Sequence, residues 1–526
     1  MKHILYCPLL LALLFVSCKT EVVVPSESTD IREKMAIFPD YTDVVVPRNI
    51  APLNFRVNNA GTEYVARFAT HDGRHELLAA AGKDGKMAFD IDEWHALLDA
   101  AAGTDLTLTV YSQRNGNWMK HPETHVSVAA EEIDPYLTYR LIEPSYELYR
   151  QLGIYQRDLT NFEEVPIYEN NDDNESENNH CINCHSVQNY GASDRRLFHV
   201  RGSHGGTIMM HDGKAERLNM LSDSTLGNAV YPAWHPTEPW VVFSSNKTGQ
   251  VFYMTNLEKI EVVDWASDLI FYDVERNKIS NVLKTPIDME TFPTWAPDGK
   301  TLYYCSAYVP QLESVPDSLR TNPESNACSD TIVTNYTNVR YNLMALDFDS
   351  STRTFSSPRL VLDCQSLADS VSRGRSAAVP RVSPDGRWLL VTLSDFGQFH
   401  IWHKSSDLYL LDLHAPNPAA TLRRLDRANS DDVDSFHNWS SNGRWIVFSS
   451  RRDDGGYSRP YISYIDAEGQ DHKAFLLPQE DPEQNMLRMK SYNVPELSKT
   501  PVEVSAKELR KVIYDDDNAK KVEYGK

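Results

Sequence analysis

Four stretches of this chain repeat one another: YPAWHPTEPWVVFSSN at 231–246, FPTWAPDGKTLYYCSA at 292–307, VPRVSPDGRWLLVTLS at 379–394 and FHNWSSNGRWIVFSSR at 436–451. Each has an extended segment, a tight turn rich in Pro, Asp, Asn or Gly, and an apolar strand that ends near Ser. Pro presets φ, and Asp or Asn bonds its own backbone two residues on, so the turns have a mechanism. A second pair of strands follows each stretch: SDLIFYDVERNKIS at 267–280, YNLMALDFDSSTRTF at 341–355, SDLYLLDLHA at 406–415 and RPYISYIDAEGQ at 459–470. A four-stranded unit repeated along a chain predicts the blades of a β-propeller. The unequal intervals exceed a minimal blade, so the loops are decorated, and VPQLESVPDSLRTNPESNACSDT at 309–331 is an insertion.

The Pro-x-Trp-x-Pro-Asp-Gly turn of these units resembles that of the TolB-like propeller family, over roughly 200 to 480. The resemblance implies a propeller at 201–480 and a protein-interaction or envelope-transport role; propellers host many functions, so the role does not follow from the fold. Only four units are plain. The ring is therefore expected to close with HGGTIMMHDGKAERLNM at 204–220 and with diverged or terminal strands. Residues 481–526 read as a tail, whose charged end SAKELRKVIYDDDNAKKVEYGK (505–526) predicts a surface helix or a frayed terminus.

Upstream, YTDVVVPRNIAPLNFRV, EYVARFAT, KMAFDI, DLTLTVYS and THVSVAA alternate apolar and polar residues between Gly, Asn and Asp turns, which predicts an Ig-like β-sandwich over 41–130. DEWHALLDAAAG at 92–103 is a helical insert. From 131 to 200 the pattern degrades into an irregular linker containing the solvated run ENNDDNESENN at 169–179. The expected fold class is all-β, a sandwich and a propeller joined by that linker.

The linker carries the chain's chemistry. Cys181, Cys184 and His185 spell C-x-x-C-H, the spacing that attaches a c-type haem: two thioethers from the cysteines and a proximal histidine on the iron. The motif predicts one covalent haem c and, with it, electron transfer or redox sensing against a periplasmic redox partner or envelope protein. The sixth iron ligand is sought in the segment holding His199, His204, Met209, Met210 and His211. The alternatives for the C-x-x-C are a small structural disulfide, a dithiol without a thioredoxin-like surround, or half of a zinc site lacking its other half. On those alternatives the chain is a TolB-like interaction module. Familiar c-type peroxidases carry two or more such motifs, so the reading leans away from an enzyme. His235, His403 and His437 near the repeat turns, and Arg373, Arg375 and Arg381, are weaker candidates for a site at the propeller's central channel.

The N-terminus gives an address. MKHILYCPLLLALLFVSCKT has a basic start, a short apolar run and small residues before Cys18. Residues 1–18 read as a signal peptide resembling that of bacterial lipoproteins. The resemblance implies lipidation of Cys18, a polar tether at 19–40 and attachment to the outer membrane facing the periplasm. A formal charge of −22 argues against nucleic acid as a partner. Outside the signal and the motif, Cys305, Cys328 and Cys364 remain; Cys305 with Cys328 could bracket the insertion as a disulfide, or all three could be buried thiols.

Overall fold

The computed structural model describes residues 22–143, 151–170, 180–202, 204–255, 259–320, 322, 324–367 and 374–525. Cys18, the signal segment, most of the 169–179 run and Arg373 lie outside them. Among the described residues no helix is long and apolar enough to cross a membrane. The chain is all-β in character, and its sheets build a six-bladed propeller beside an N-terminal β-domain.

From the axis outward, blade 2 is Cys181–Val187, Arg196–Arg201, Gly206–His211 and Lys214–Asn219. Blade 3 is Ala229–Trp234, Trp240–Phe252, Ile260–Asp273 and Lys278–Leu283; blade 4 is Met289–Trp295, Thr301–Ala307, Asn342–Asp349 and Arg359–Leu362. Blade 5 (Ser376–Val382, Trp388–Ser394, Asp407–Asp412, Arg423–Arg424) and blade 6 (Asp434–Trp439, Trp445–Ser450, Arg459–Tyr464, Phe475–Leu476) follow. Blade 1 joins the two ends of the ring. Its outer three strands are Tyr136–Ile142, Gly153–Asp158 and Glu164–Glu169, while its innermost strand, Ser491–Ser498, comes from the far end of the chain.

The repeat turns form for the reasons their composition gives. Gly299, Gly386 and Gly443 take φ of 67°, 75° and 67°, a region open to glycine at little cost. Asp298, Asp385 and Asn442 each accept the backbone N–H two residues on, at 2.9, 3.0 and 3.1 Å. Trp234, Trp295 and Trp439, which end the inner strands, are buried in the apolar clusters formed with neighbouring strands.

Three expected boundaries move. The propeller begins at Tyr136 rather than 201, because the stretch read as a linker supplies three strands of blade 1 and the first strands of blade 2. The stretch from 481 is no loose tail. It carries the closing strand, a helix (Ala506–Tyr514) whose Leu509 and Ile513 are buried, and two short strands on the outer edges of blades 2 and 3. The N-terminal domain starts earlier than 41, since Thr29–Asp30 and Ile37–Phe38 already pair within it. That domain sets a larger sheet around Tyr64–Thr70 and Asp105–Arg114 against a small one, with the helix Ile91–Ala100. Its core is continuous with Trp445, Val447, Phe475, Tyr492 and Leu497 of blades 6 and 1. Ser441 bonds Asp134, and Lys86 pairs with Asp481 at 2.8 Å, across the same junction.

All five described cysteines are free: Cys305 and Cys364 are core residues, Cys328 sits on the helix Ala327–Asn335, and no Cys305–Cys328 bridge forms. Closure of blade 1 is pinned by Arg488, whose guanidinium grips both oxygens of Glu164 at 2.7 and 2.8 Å, largely out of solvent. Arg488→Met strands that carboxylate and should cost about 3 kcal/mol in chemical denaturation. An unchanged midpoint would show that the pair contributes nothing to closure.

Candidate functional site

Each inner strand is broken at one place by a register shift, and in each a residue at or beside the break adopts the left-handed region. These residues are Cys184 (φ 54°), Tyr231 (48°), Phe292 (50°), Val379 (51°), Phe436 (49°) and Val494 (50°). A left-handed non-glycine residue is costly, so six of them at matching positions mean that the ring's packing imposes the bulge. All six line one cavity of about 190 Å³ at the centre of the ring. The motif therefore lies inside the repeat. Cys184-His185-Ser186-Val187 occupies in blade 2 the place of Tyr231-Pro232-Ala233-Trp234 in blade 3 and Phe292-Pro293-Thr294-Trp295 in blade 4.

The bulge decides what the motif can do. In a regular strand residues three apart point to opposite faces. The break between Asn183 and Ser186 resets that alternation, and Cys181 and Cys184 both line the cavity. Burial pushes the Cys184 thiol up, so it is not an activated thiolate of the kind a redox dithiol needs.

His185 lines the same cavity and is buried. Burial, helped by nearby Arg140, lowers its pKa to about 4, so the imidazole is neutral, the form that binds a metal. Backbone groups of Val494 and Thr138 bond the ring, and Nε2 has no hydrogen-bond partner among the described residues. A neutral ring anchored to backbone is how metal-ligating histidines are held, and here Nε2 is itself buried. The cavity walls are largely apolar and aromatic, with Tyr231, Phe292, Phe399, Trp402 and Phe436. Two thiols, a neutral imidazole and ring-lined walls match the donor chemistry of a c-type haem.

The five residues offered for the sixth ligand are not brought to this cavity. His199 stands across from Asn183, one strand further from the axis, and is buried. His204 packs against the rings of His180 and Tyr514. Met209 and Met210 belong to two different apolar clusters, as alternate residues of a strand buried on both faces must. His211 is at the hairpin before Lys214, beside Asp212 and Glu216. Among the weaker candidates, Arg381 does line the cavity, whereas Arg375 pairs with Asp395 at 2.7 Å. His235, His403 and His437 make structural bonds, to Gly299, to Glu261 and Ser394, and to Thr392 and Leu390.

Reading the sequence missed Arg140, Arg201 and Arg451, which reach the cavity from second strands or just past them. It also missed the long hairpin of blade 3, which brings Thr248, Phe252, Ile260 and Val262 to the cavity wall. That hairpin holds Asp264, bonded by Asn246 at 2.9 Å. Burial raises Asp264 to about 8, Glu290 to about 8 and Asp268 to about 6. Unfolded, these groups titrate near 4. Between those values the folded chain holds protons that the unfolded chain lacks, so their contribution is full below about pH 4 and is lost as pH rises through about 8. The melting temperature should fall between about pH 4 and 8, and Asp264→Asn with Glu290→Gln should flatten the slope. A profile unchanged by the double substitution would contradict this.

No protein-family model matches the chain, and no curated protein does. Among solved structures it is similar to an auxiliary nutrient binding protein from Bacteroides thetaiotaomicron, at 10% identity and TM-score 0.34, covering 82% of this chain and 98% of that one. It is also similar to the tricorn protease, at 10% identity and TM-score 0.32, covering 85% of this chain and 44% of that one. A luciferin-regenerating enzyme aligns at 9% identity and TM-score 0.34, covering 64% of this chain and 90% of that one. The six-bladed ring itself rests on the strand pairing described above.

Proposed function

We propose that the chain is a haem-bearing β-propeller that moves or senses electrons, with Cys181 and Cys184 as thioether anchors and His185 as proximal ligand. The observation that supports this most is that Cys181, Cys184 and His185 all line one ring-walled cavity, through the bulge at Cys184. A haem held there by Cys181, Cys184 and His185 would supply a one-electron iron couple. The protein's part is to keep His185 neutral and anchored, to present Cys181 and Cys184 on the wall of one cavity, and to surround them with aromatic side chains.

The proposed address follows from the N-terminus: export, lipidation at Cys18 and a place on the outer membrane facing the periplasm, where a soluble redox partner or an envelope protein would be met. The test of function is the absorption spectrum of protein matured in a host with working haem-attachment machinery. A Soret band with sharp reduced α and β bands is expected. Colourless, folded protein would overturn the reading and leave a TolB-like interaction module whose C-x-x-C is structural.

A further inference from the structure

The central cavity is cationic as well as apolar. Arg451, Arg140 and Arg201 of blades 6, 1 and 2 line it together with Arg381 of blade 5 and Lys259 of blade 3, among apolar side chains such as Ile260, Phe292 and Trp402. In a chain of net charge −22, the only carboxylate among the described lining residues is Glu143. The arginines are positioned by structure. Arg140 donates to the carbonyl of Ile182 at 3.0 Å and keeps a buried Nε without a partner among the described residues. Arg201 stands in register across from Cys181, and the Arg451 guanidinium lies over the Trp402 ring at 3.1 Å.

Guanidinium forks match carboxylates in shape, and their pairing strengthens where water is scarce. We propose that this cavity is a site for a planar, apolar ligand that carries carboxylates, its acidic edge turned toward Arg140 and Arg201. The proposal concerns the cavity's own recognition chemistry and does not depend on thioether formation. Two sources share that chemistry: the propionates of an attached haem, and a free aromatic carboxylate.

The experiment uses the full chain as Cys181→Ala/Cys184→Ala, which cannot attach haem, with metal-free protoporphyrin IX and its dimethyl ester as probes. The diacid should bind at least tenfold more tightly than the ester. Arg140→Gln and Arg201→Gln should each lower diacid affinity about tenfold, the worth of one charge-assisted contact, while leaving the ester unchanged. Ester binding by these variants shows that the cavity still forms, and the diacid-to-ester ratio needs no arginine variant at all. Equal affinities for the two probes, or no binding of either, would overturn the proposal. Naphthalene-2,6-dicarboxylate separates the sources. Binding to haem-free protein but not to matured protein assigns the arginines to the haem's own carboxylates, and binding to both assigns them to a free ligand. Absence of covalent haem in matured protein is a separate readout and bears only on the function proposed above.

Discussion

A chain ending at residue 490 should lose its cooperative melt and associate. The strand Ser491–Ser498 is the innermost strand of blade 1 and packs against the inner strand of blade 6. Removing it exposes the edge of Tyr136–Ile142 along the whole pairing from Tyr136 to Ile142. It also takes away Tyr492 and Leu497, both fully buried in the core shared with the N-terminal domain, and the helix face of Leu509 and Ile513. Each large apolar side chain so removed is worth about 2 kcal/mol or more, and together they approach the whole stability of a typical domain. An unpaired inner edge is in addition a template for association. Calorimetry and size-exclusion chromatography read the outcome; a monomeric, sharply melting truncated protein would contradict closure by this strand.

The second large effect concerns attachment. Cys181→Ala with Cys184→Ala should abolish covalent haem entirely, seen as loss of the adduct by intact mass under denaturing conditions, while the β-sheet circular dichroism persists. Position 184 sits at a left-handed φ, which Ala bears about as poorly as Cys, so the double substitution does not change backbone strain. Little packing is lost, since only two thiols at a cavity wall are removed. His185→Ala should behave differently: the thioethers can still form, but the ligand-field spectrum and the reduction potential should shift because the iron's protein ligand is gone. A His185→Ala protein with the wild-type spectrum would place the proximal ligand elsewhere, and a double cysteine variant that still carries covalent haem would remove the motif from the chemistry.

The propeller was legible because Asp-Gly or Asn-Gly turns recur in blades 4, 5 and 6 and strand-ending Trp residues in blades 3, 4 and 6, each for local reasons. Blades 1 and 2 were not, for two different reasons. Blade 1 is assembled from both ends of the chain, so no contiguous stretch contains its repeat, and closure is a tertiary fact. Blade 2 replaces the aromatic-Pro pair with Cys184-His185 and turns through the short 3-10 segment Gln188–Gly191, in which the side chain of Gln188 bonds Glu238 of the next blade. The aligned positions Cys184, Tyr231 and Phe292 were present in the sequence, and placing them in one register would have moved the motif from a linker to the channel. The five sixth-ligand candidates failed because nearness in sequence was used where strand alternation and the ring decide which side chains face the axis. The arginines were invisible to pattern reading, since Arg140, Arg201 and Arg451 belong to three blades that only ring closure brings together.

One measurement tests the central proposal most directly: an anomalous difference map at the iron edge, from crystals of the full chain matured with haem-attachment machinery. A single iron inside the ring of inner strands, bonded to His185 Nε2, is the predicted result. No iron, or iron outside the ring and away from His185, would contradict it.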